Sequence, residues 1–244
     1  MLENDCKVNV IFFTDGISSR TKSKVEKKKR SINLKKVTKL MNFKIQKHFN
    51  YQDNALDSVP LLNIVKKLEI EIKKFKPEII FHLAAYNDVK GSFENYTGAL
   101  ESNIIATSNI LERSKNYNQL IYISTSEIYG KQEKKKIFSE TLKPSPFSPY
   151  SIGKYGGELY AKMHMEQFNK PIKIFRPFNI FGETQSIKGV IPELISKFLH
   201  NENVRITNGT QTREFNYVGN TVNFLINAME VKSLIGKVIN ISDG

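Results

Sequence analysis

Apolar positions in this chain fall into short runs of strand length, separated by stretches with a helical period. Val8-Asn9-Val10-Ile11-Phe12-Phe13 reads as a buried strand ending at Thr14-Asp15-Gly16, and Phe43 to Phe49 alternates like a second strand. Leu61, Leu62, Val65, Leu68 and Ile72 form one apolar stripe, which predicts a helix over 61–75 that packs on a core and is closed by Pro77. Further strands are expected over 78–85, 120–123, 172–175 and 238–241. Helices are expected over 102–114, from Tyr150 to before Pro171, and over 190–200. Such alternation predicts an α/β fold with a parallel sheet. Val204-Arg205-Ile206 and Arg213 to Val218 frame a turn at Asn208-Gly209, and 131–149 is a lysine- and proline-rich loop long enough to lie over a substrate.

Two stretches concentrate the chemistry. Ser124-Thr125-Ser126-Glu127-Ile128-Tyr129-Gly130 follows the run Leu120-Ile121-Tyr122-Ile123, so its hydroxyls and carboxylate sit at a strand's carboxyl end, where open α/β sheets bind ligands. Tyr150-Ser151-Ile152-Gly153-Lys154 opens a helix behind the start signal Ser148-Pro149. Tyr150 and Lys154 are four residues apart and share a face. A phenol titrates near 10, and an ammonium within a few ångströms lowers that value. A tyrosine tuned in this way can take a proton from a sugar hydroxyl while hydride leaves the same carbon. Thr125 would hydrogen-bond the reacting oxygen, and Glu127 could move a second proton. A bare Tyr-x-x-x-Lys occurs by chance on many surface helices, so the pairing gains weight only from its surroundings.

Those surroundings are His82-Leu83-Ala84-Ala85, Ser124 to Gly130, Tyr150 to Lys154, Arg176-Pro177-Phe178-Asn179-Ile180-Phe181-Gly182, Arg213 to Val218 and Asn240-Ile241-Ser242-Asp243-Gly244, in that order. Over roughly residues 75 to 244 the chain resembles the extended short-chain dehydrogenase/reductase family, in particular its NAD-dependent nucleotide-sugar epimerases and dehydratases. The resemblance implies a Rossmann-like doubly wound parallel sheet and NAD, ahead of NADP, as cofactor. It assigns catalysis to Thr125, Glu127, Tyr150 and Lys154, and cofactor contacts to Asp15, Ala84, Ala85, Tyr150, Lys154 and Pro177. Substrate contacts fall to Ser126, Asn179 and Arg213, the last as a diphosphate clamp suited to a guanidinium. Asn103 matches the family's buried asparagine, which braces the active-site strand. Relatives pair as dimers through two helices, so a homodimer is implied as well. No metal site is implied, and His82 reads as a satisfied residue beside the core.

The reaction implied starts when Tyr150 takes the proton of the sugar's 4-hydroxyl and hydride passes from C4 to NAD, leaving a 4-keto sugar. An epimerase returns the hydride to the opposite face. A 4,6-dehydratase eliminates water across C5 and C6 and needs a further acid or base. Thr125-Ser126-Glu127 resembles the Thr-Ser-Glu of GDP-mannose 4,6-dehydratases and some decarboxylases, so Glu127 favours dehydratase chemistry, with an outward-pointing carboxylate as the plain alternative.

The N-terminal third departs from the family pattern. A dinucleotide fold opens with a glycine-rich turn because only glycine lets backbone approach the pyrophosphate, yet Gly16 is the only glycine before Gly91. In one alignment the strand at 8–13 is the family's second, the first strand and its loop are missing, and Asp15 caps the adenosine ribose. In the other it is the first strand with a decayed turn, and Asp15 is an ordinary turn residue. The former is favoured by an acid standing directly after a strand. At the other end relatives continue beyond Gly244, so both ends read as unfinished. The expected organisation is a partial NAD-binding domain over 1–178, a partial substrate lobe with a returning helix over 179–236, and a final sheet strand over 237–244.

Composition narrows the remaining classes. Forty per cent hydrophobic residues fit a globular protein, and one cysteine excludes an intramolecular disulfide, which agrees with a reducing compartment. No apolar run reaches membrane-spanning length and the first residues do not read as a signal peptide, so the cytoplasm is the default location and no membrane partner is expected. The net charge of +13 has one source: twelve Lys or Arg against the single acid Glu26 lie between Arg20 and Lys47, while elsewhere 25 bases face 23 acids. Such a segment could bind nucleic acid or another anionic partner, but it lacks interleaved aromatics, and a solvated lysine-rich surface is the plainer reading. A catalytically inactive family remnant is the other alternative to an enzyme.

Overall fold

The computed structural model describes residues 7–14, 28, 31–32, 34–36, 38–39, 43–51, 61–132, 137–183, 185, 189–204, 206, 208–210 and 212–242. Asp15 and most of the basic segment 20–47 lie outside the described residues. The chain divides into two compact units, one built from 1–77 with 109–117 and the other from 78–108 with 118–244.

The first unit holds strands β1 (Asn9–Thr14) and β2 (Lys44–Tyr51), which pair in parallel, and helix α1 (Leu61–Phe75). Gln46 ties β2 to both neighbours, accepting from Asn9 Nδ2 at 3.1 Å and donating to Glu71 at 2.9 Å. Helix α1 ends at Lys76, whose φ of 52° breaks the helix just before Pro77.

The second unit is organised on a four-stranded parallel sheet of β3 (Ile79–His82), β4 (Gln119–Ile123), β5 (Ile172–Pro177) and the last strand, Val238–Ile241, adjacent in that order. Between β3 and β4 the chain runs through α2 (Tyr96–Leu100), a π-helical turn (Glu101–Ile105) and α3 (Ala106–Arg113). The periodicity predicts one regular helix here, and the structure instead inserts a π turn at Asn103. Helix α4 (Pro149–Phe168) connects β4 to β5. After β5 come β6 (Asn179–Phe181), α5 (Val190–Leu199), β7 (Phe215–Tyr217) and α6 (Val218–Glu230), and the last strand becomes β8.

Period-two alternation sorts β4 and β5 onto two layers. Ile121, Ile123 and Phe175 point toward α6 and form the core with Phe224, Leu225, Ala228 and Ile241. Tyr122 and Arg176 point the other way, toward α4. Lys173 lies on the α6 side and is almost fully buried, yet its ammonium is satisfied because it donates to the carbonyls of Ala228 and Met229 at the end of α6.

Strand β7 pairs in parallel with β6, through Asn179–Phe215, Ile180–Asn216 and Phe181–Tyr217, and Val204 and Ile206 lie outside any strand. Strand β6 follows directly on β5, separated from it by Phe178 alone.

Candidate active site

The carboxyl ends of β3, β4 and β5 all face one side, and the chemistry-bearing residues follow directly after them. Beyond β4, Thr125 caps a 3-10 turn over Ser126–Tyr129, its Oγ1 accepting the Glu127 N–H at 3.2 Å. The turn closes at Gly130, whose φ is +63° and whose missing Cβ would lie 1.8 Å from the Ser145 carbonyl oxygen. Only glycine fits there. Ser145 in turn donates to Ile128 O at 2.9 Å, so the loop after the turn folds back onto it.

Helix α4 starts with a reciprocal cap between Ser148 and Ser151, with Pro149 in its first turn, as the start signal predicts. Its face toward the π turn is built from glycines. A Cβ on Gly157 would stand 2.5 Å from the Tyr122 hydroxyl and 2.6 Å from Asn103 O, and one on Gly153 would stand 3.0 Å from the Asn103 Cβ. The absence of side chains lets the helix lie against β4 closely enough for Tyr122 to donate to Lys154 O at 2.9 Å. Asn103 bonds both main-chain groups of Tyr86, accepting at 2.9 Å and donating at 3.1 Å, and so holds the segment with Ala84 and Ala85 beyond β3. His82, buried beside it, is bonded to Thr107 and kept neutral: burial takes its imidazole down to about 3.

The residues expected at the site have distinct settings. Tyr150 is half-buried, with the Thr125 hydroxyl near enough to shift its phenol. Because Thr125 Oγ1 already accepts from Glu127, its proton is free to be given to the phenol oxygen. The Tyr150 phenol is pushed up, by burial first and then by the Glu127 carboxylate, while the Thr125 bond pulls it down. This reverses the direction expected from a neighbouring ammonium. Lys154 Nζ instead donates to Ile123 O and lies 4.6 Å from the centre of the Tyr122 ring. Burial lowers Lys154 to about 8, and Glu158 pulls it back up. Ser126 and Glu127 are half-buried on the turn, Ala84 is exposed, and Pro177 is buried at the end of β5 opposite Ile241.

The more distant expectations separate from this cluster. Asn179 Nδ2 donates to Glu214 O at 2.9 Å, joining β6 to the residue before β7. Arg213 is exposed, and its guanidinium donates to its neighbour's carbonyl at Thr212.

One group escaped sequence reasoning. Glu158 is wholly buried, forks onto Arg176 at 2.6 and 3.0 Å, and accepts from Ser124 Oγ at 2.8 Å and Lys162 Nζ at 2.9 Å. Arg176 also donates to the Tyr129 hydroxyl at 2.7 Å, which donates to Asn240 Oδ1 at 2.7 Å. The available signal was Arg176 directly after the strand-length run 172–175, since a charge buried there requires a partner. Glu158, four residues beyond Lys154, lies on the same helical face.

Residues 21–242 match the model of the NAD dependent epimerase/dehydratase family. A dTDP-D-glucose 4,6-dehydratase of Dictyostelium discoideum is 34% identical over 225 residues, a match that covers 86% of this chain and 48% of the relative. A UDP-N-acetyl-alpha-D-glucosaminuronate decarboxylase of Bacillus cytotoxicus is 31% identical over 204 residues, with 78% of this chain and 62% of the relative covered. The chain thus spans about half to two-thirds of the length of these curated relatives. Among solved structures, the UDP-glucuronic acid 4-epimerase of Bacillus cereus, in complex with UDP-glucuronic acid and NAD, superposes with a TM-score of 0.75 at 28% identity, covering 100% of this chain and 72% of its own.

Proposed function

The chain belongs to the NAD dependent epimerase/dehydratase family, and from that premise we propose that it acts on a nucleotide-sugar through a 4-keto intermediate, as a 4,6-dehydratase or an epimerase. The observation that carries this reading is Tyr150 in the first turn of α4, with the Thr125 hydroxyl and the Glu127 carboxylate near enough to shift its phenol, at the carboxyl ends of parallel strands.

The residues present suit the reacting half of NAD. Lys154 spends one of its three ammonium donors on Ile123 O and has others to offer a ribose hydroxyl. The small side chains of Ala84 and Ala85 and the main chain after Pro177 would let the ring approach. For the pyrophosphate, the sequence offers no glycine cradle before Gly91 other than Gly16, so the fit is confined to the reacting half. When bound, NAD supplies the acceptor for the hydride of C4.

The chain's own residues handle the protons. Tyr150 receives the proton of the 4-hydroxyl, and Thr125, whose acceptor site is held by Glu127 N–H, directs its O–H at the reacting oxygen. Lys154, bonded to Ile123 O, is proposed to act through the ribose hydroxyl it would hold. Glu127 is proposed to move the second proton, which favours the dehydratase over the epimerase; Ser126, Asn179 and Arg213 are proposed for the sugar-nucleotide.

The test is incubation of the chain with NAD and, separately, dTDP-glucose, UDP-glucose and UDP-glucuronic acid, with products read by mass spectrometry and NMR. Loss of water signals dehydration, and an inverted C4 signals epimerisation. Tyr150→Phe is expected to lower turnover by about three orders of magnitude, within the range for loss of a general base. No conversion of any of the three sugars would sink the reading, as would a Tyr150→Phe rate equal to that of the unmodified chain.

A further inference from the structure

The buried ion pair behind the site has no part in the proton movements above, and its contacts are arranged in a particular way. Ser124 and Tyr129 bracket the turn that carries Thr125, Ser126 and Glu127. Ser124 Oγ donates to Glu158 Oε2 at 2.8 Å, and Arg176 Nη1 donates to the Tyr129 hydroxyl at 2.7 Å. Glu158 and Arg176 are themselves locked together by two bonds of 2.6 and 3.0 Å, with their side chains no more than 2% exposed. Both ends of one six-residue stretch are therefore fastened to a single buried charge pair.

The fastening continues past the turn. The Tyr129 hydroxyl donates to Asn240 Oδ1 at 2.7 Å. Asn240 then donates from Nδ2 to Phe138 O at 3.1 Å and from its main-chain N–H to Glu140 at 2.7 Å. The Arg176 guanidinium also lies 5.0 Å from the centre of the Tyr129 ring, so charge, ring and hydroxyl fix one rotamer. Charge-assisted bonds out of water are stiff, and neither ion can be left unpaired without a large desolvation penalty.

We infer that Glu158 and Arg176 are positioning residues: together they clamp the Ser124–Tyr129 turn at both ends and so fix the orientation of Thr125 and Glu127 toward Tyr150. The clamp is a property of the turn, while its effect on turnover rests on the reaction proposed above. Removing an ion would leave its partner buried and unpaired, so the informative variants are the milder ones. Tyr129→Phe keeps the ring and loses the hydroxyl, and Ser124→Ala loses one bond to Glu158.

Two measurements decide it. The first is amide hydrogen exchange at Gly130, bonded to Glu127 O, and Ser145, bonded to Ile128 O, with Leu120 in β4, bonded to Pro171 O, as reference. Each variant is expected to speed exchange at the first two by about tenfold while Leu120 is unchanged. The second is steady-state kinetics, where kcat is expected to fall about tenfold with KM held within about twofold, since misplaced groups cost rate more than binding. Unchanged exchange at Gly130 and Ser145 overturns the clamp, as does acceleration that includes Leu120, which is general loosening. Faster exchange with an unchanged kcat overturns the positioning role. A wild-type chain without turnover would refute the proposed reaction, and the exchange data would still decide the clamp. If Tyr129→Phe does not fold, Ser124→Ala carries both measurements.

Discussion

At Thr125 one hydroxyl serves two partners. Its oxygen accepts the Glu127 N–H, which sets the 3-10 turn, and its nearness to Tyr150 is what pulls the phenol down against burial and against Glu127. Removing the hydroxyl should therefore raise the Tyr150 phenol further. For a base that must be deprotonated to work, this moves the rising limb of the rate–pH profile to higher pH. Thr125→Ala is expected to show that displacement, with kcat at neutral pH down about tenfold or more, within the span for a lost general-base contact. Thr125→Ser should restore the wild-type limb. A profile of unchanged shape in Thr125→Ala would mean that Tyr150 is not the titrating base.

Helix α4 shows why side chains had to be absent for the site to exist. Its glycines meet neighbours that differ in how far they can yield. A methyl on Gly157 would collide with the Tyr122 hydroxyl at 2.5 Å and the Asn103 carbonyl at 2.6 Å, whereas one on Gly156 would meet the end of the Ile104 side chain at 2.6 Å, which can turn away. Glycine to alanine within a helix is otherwise worth up to about 1 kcal/mol in favour of alanine. Gly157→Ala is thus expected to destabilise the chain by about 1–3 kcal/mol, the usual range for overpacking, while Gly156→Ala should lie within about 1 kcal/mol of wild type. Denaturant titrations of the two variants check this. Equal losses would show that the contact at Gly157 relaxes as easily as the one at Gly156.

For the whole molecule, buried titratable groups set the pH range of stability. His82 is held down to about 3 against an ordinary 6.5, so between those values the unfolded chain takes up a proton that the folded chain refuses, and stability is lost as pH falls through that window. Lys154 has the same sign at the alkaline side. Its folded value is about 8 against 10.5, so stability grows as pH rises from 8 toward 10. Burial raises Tyr117, Tyr122, Tyr129 and Tyr150 above 10, so beyond that pH the unfolded chain sheds protons that the folded one keeps, and stability falls. Thermal unfolding from pH 4 to 11 is expected to show a rise, a further gain between 8 and 10, and a decline above 10. Lys154→Met should remove the gain between 8 and 10 and leave the decline; persistence of that gain in the variant would show that another group causes it.

Sequence by itself determined the strand and helix succession and the two stretches that meet at Tyr150, because each rests on local rules. The stripe over 61–75 returned as α1 with those bounds, Ser148-Pro149 capped α4, and the last strand began at Val238. The Tyr150–Lys154 spacing was legible because a helix converts four residues into one face. Tertiary structure alone decided what each group touches. It turned Lys154 toward Ile123 O, raised the Tyr150 phenol by burial, matched β7 with the distant β6, and put a π turn at Asn103. It also brought Glu158 to Arg176 across 18 residues of chain and Tyr129 to Asn240 across 111. Burial, ion pairing and long-range strand pairing depend on the surroundings supplied by the rest of the fold, and no local spacing records them.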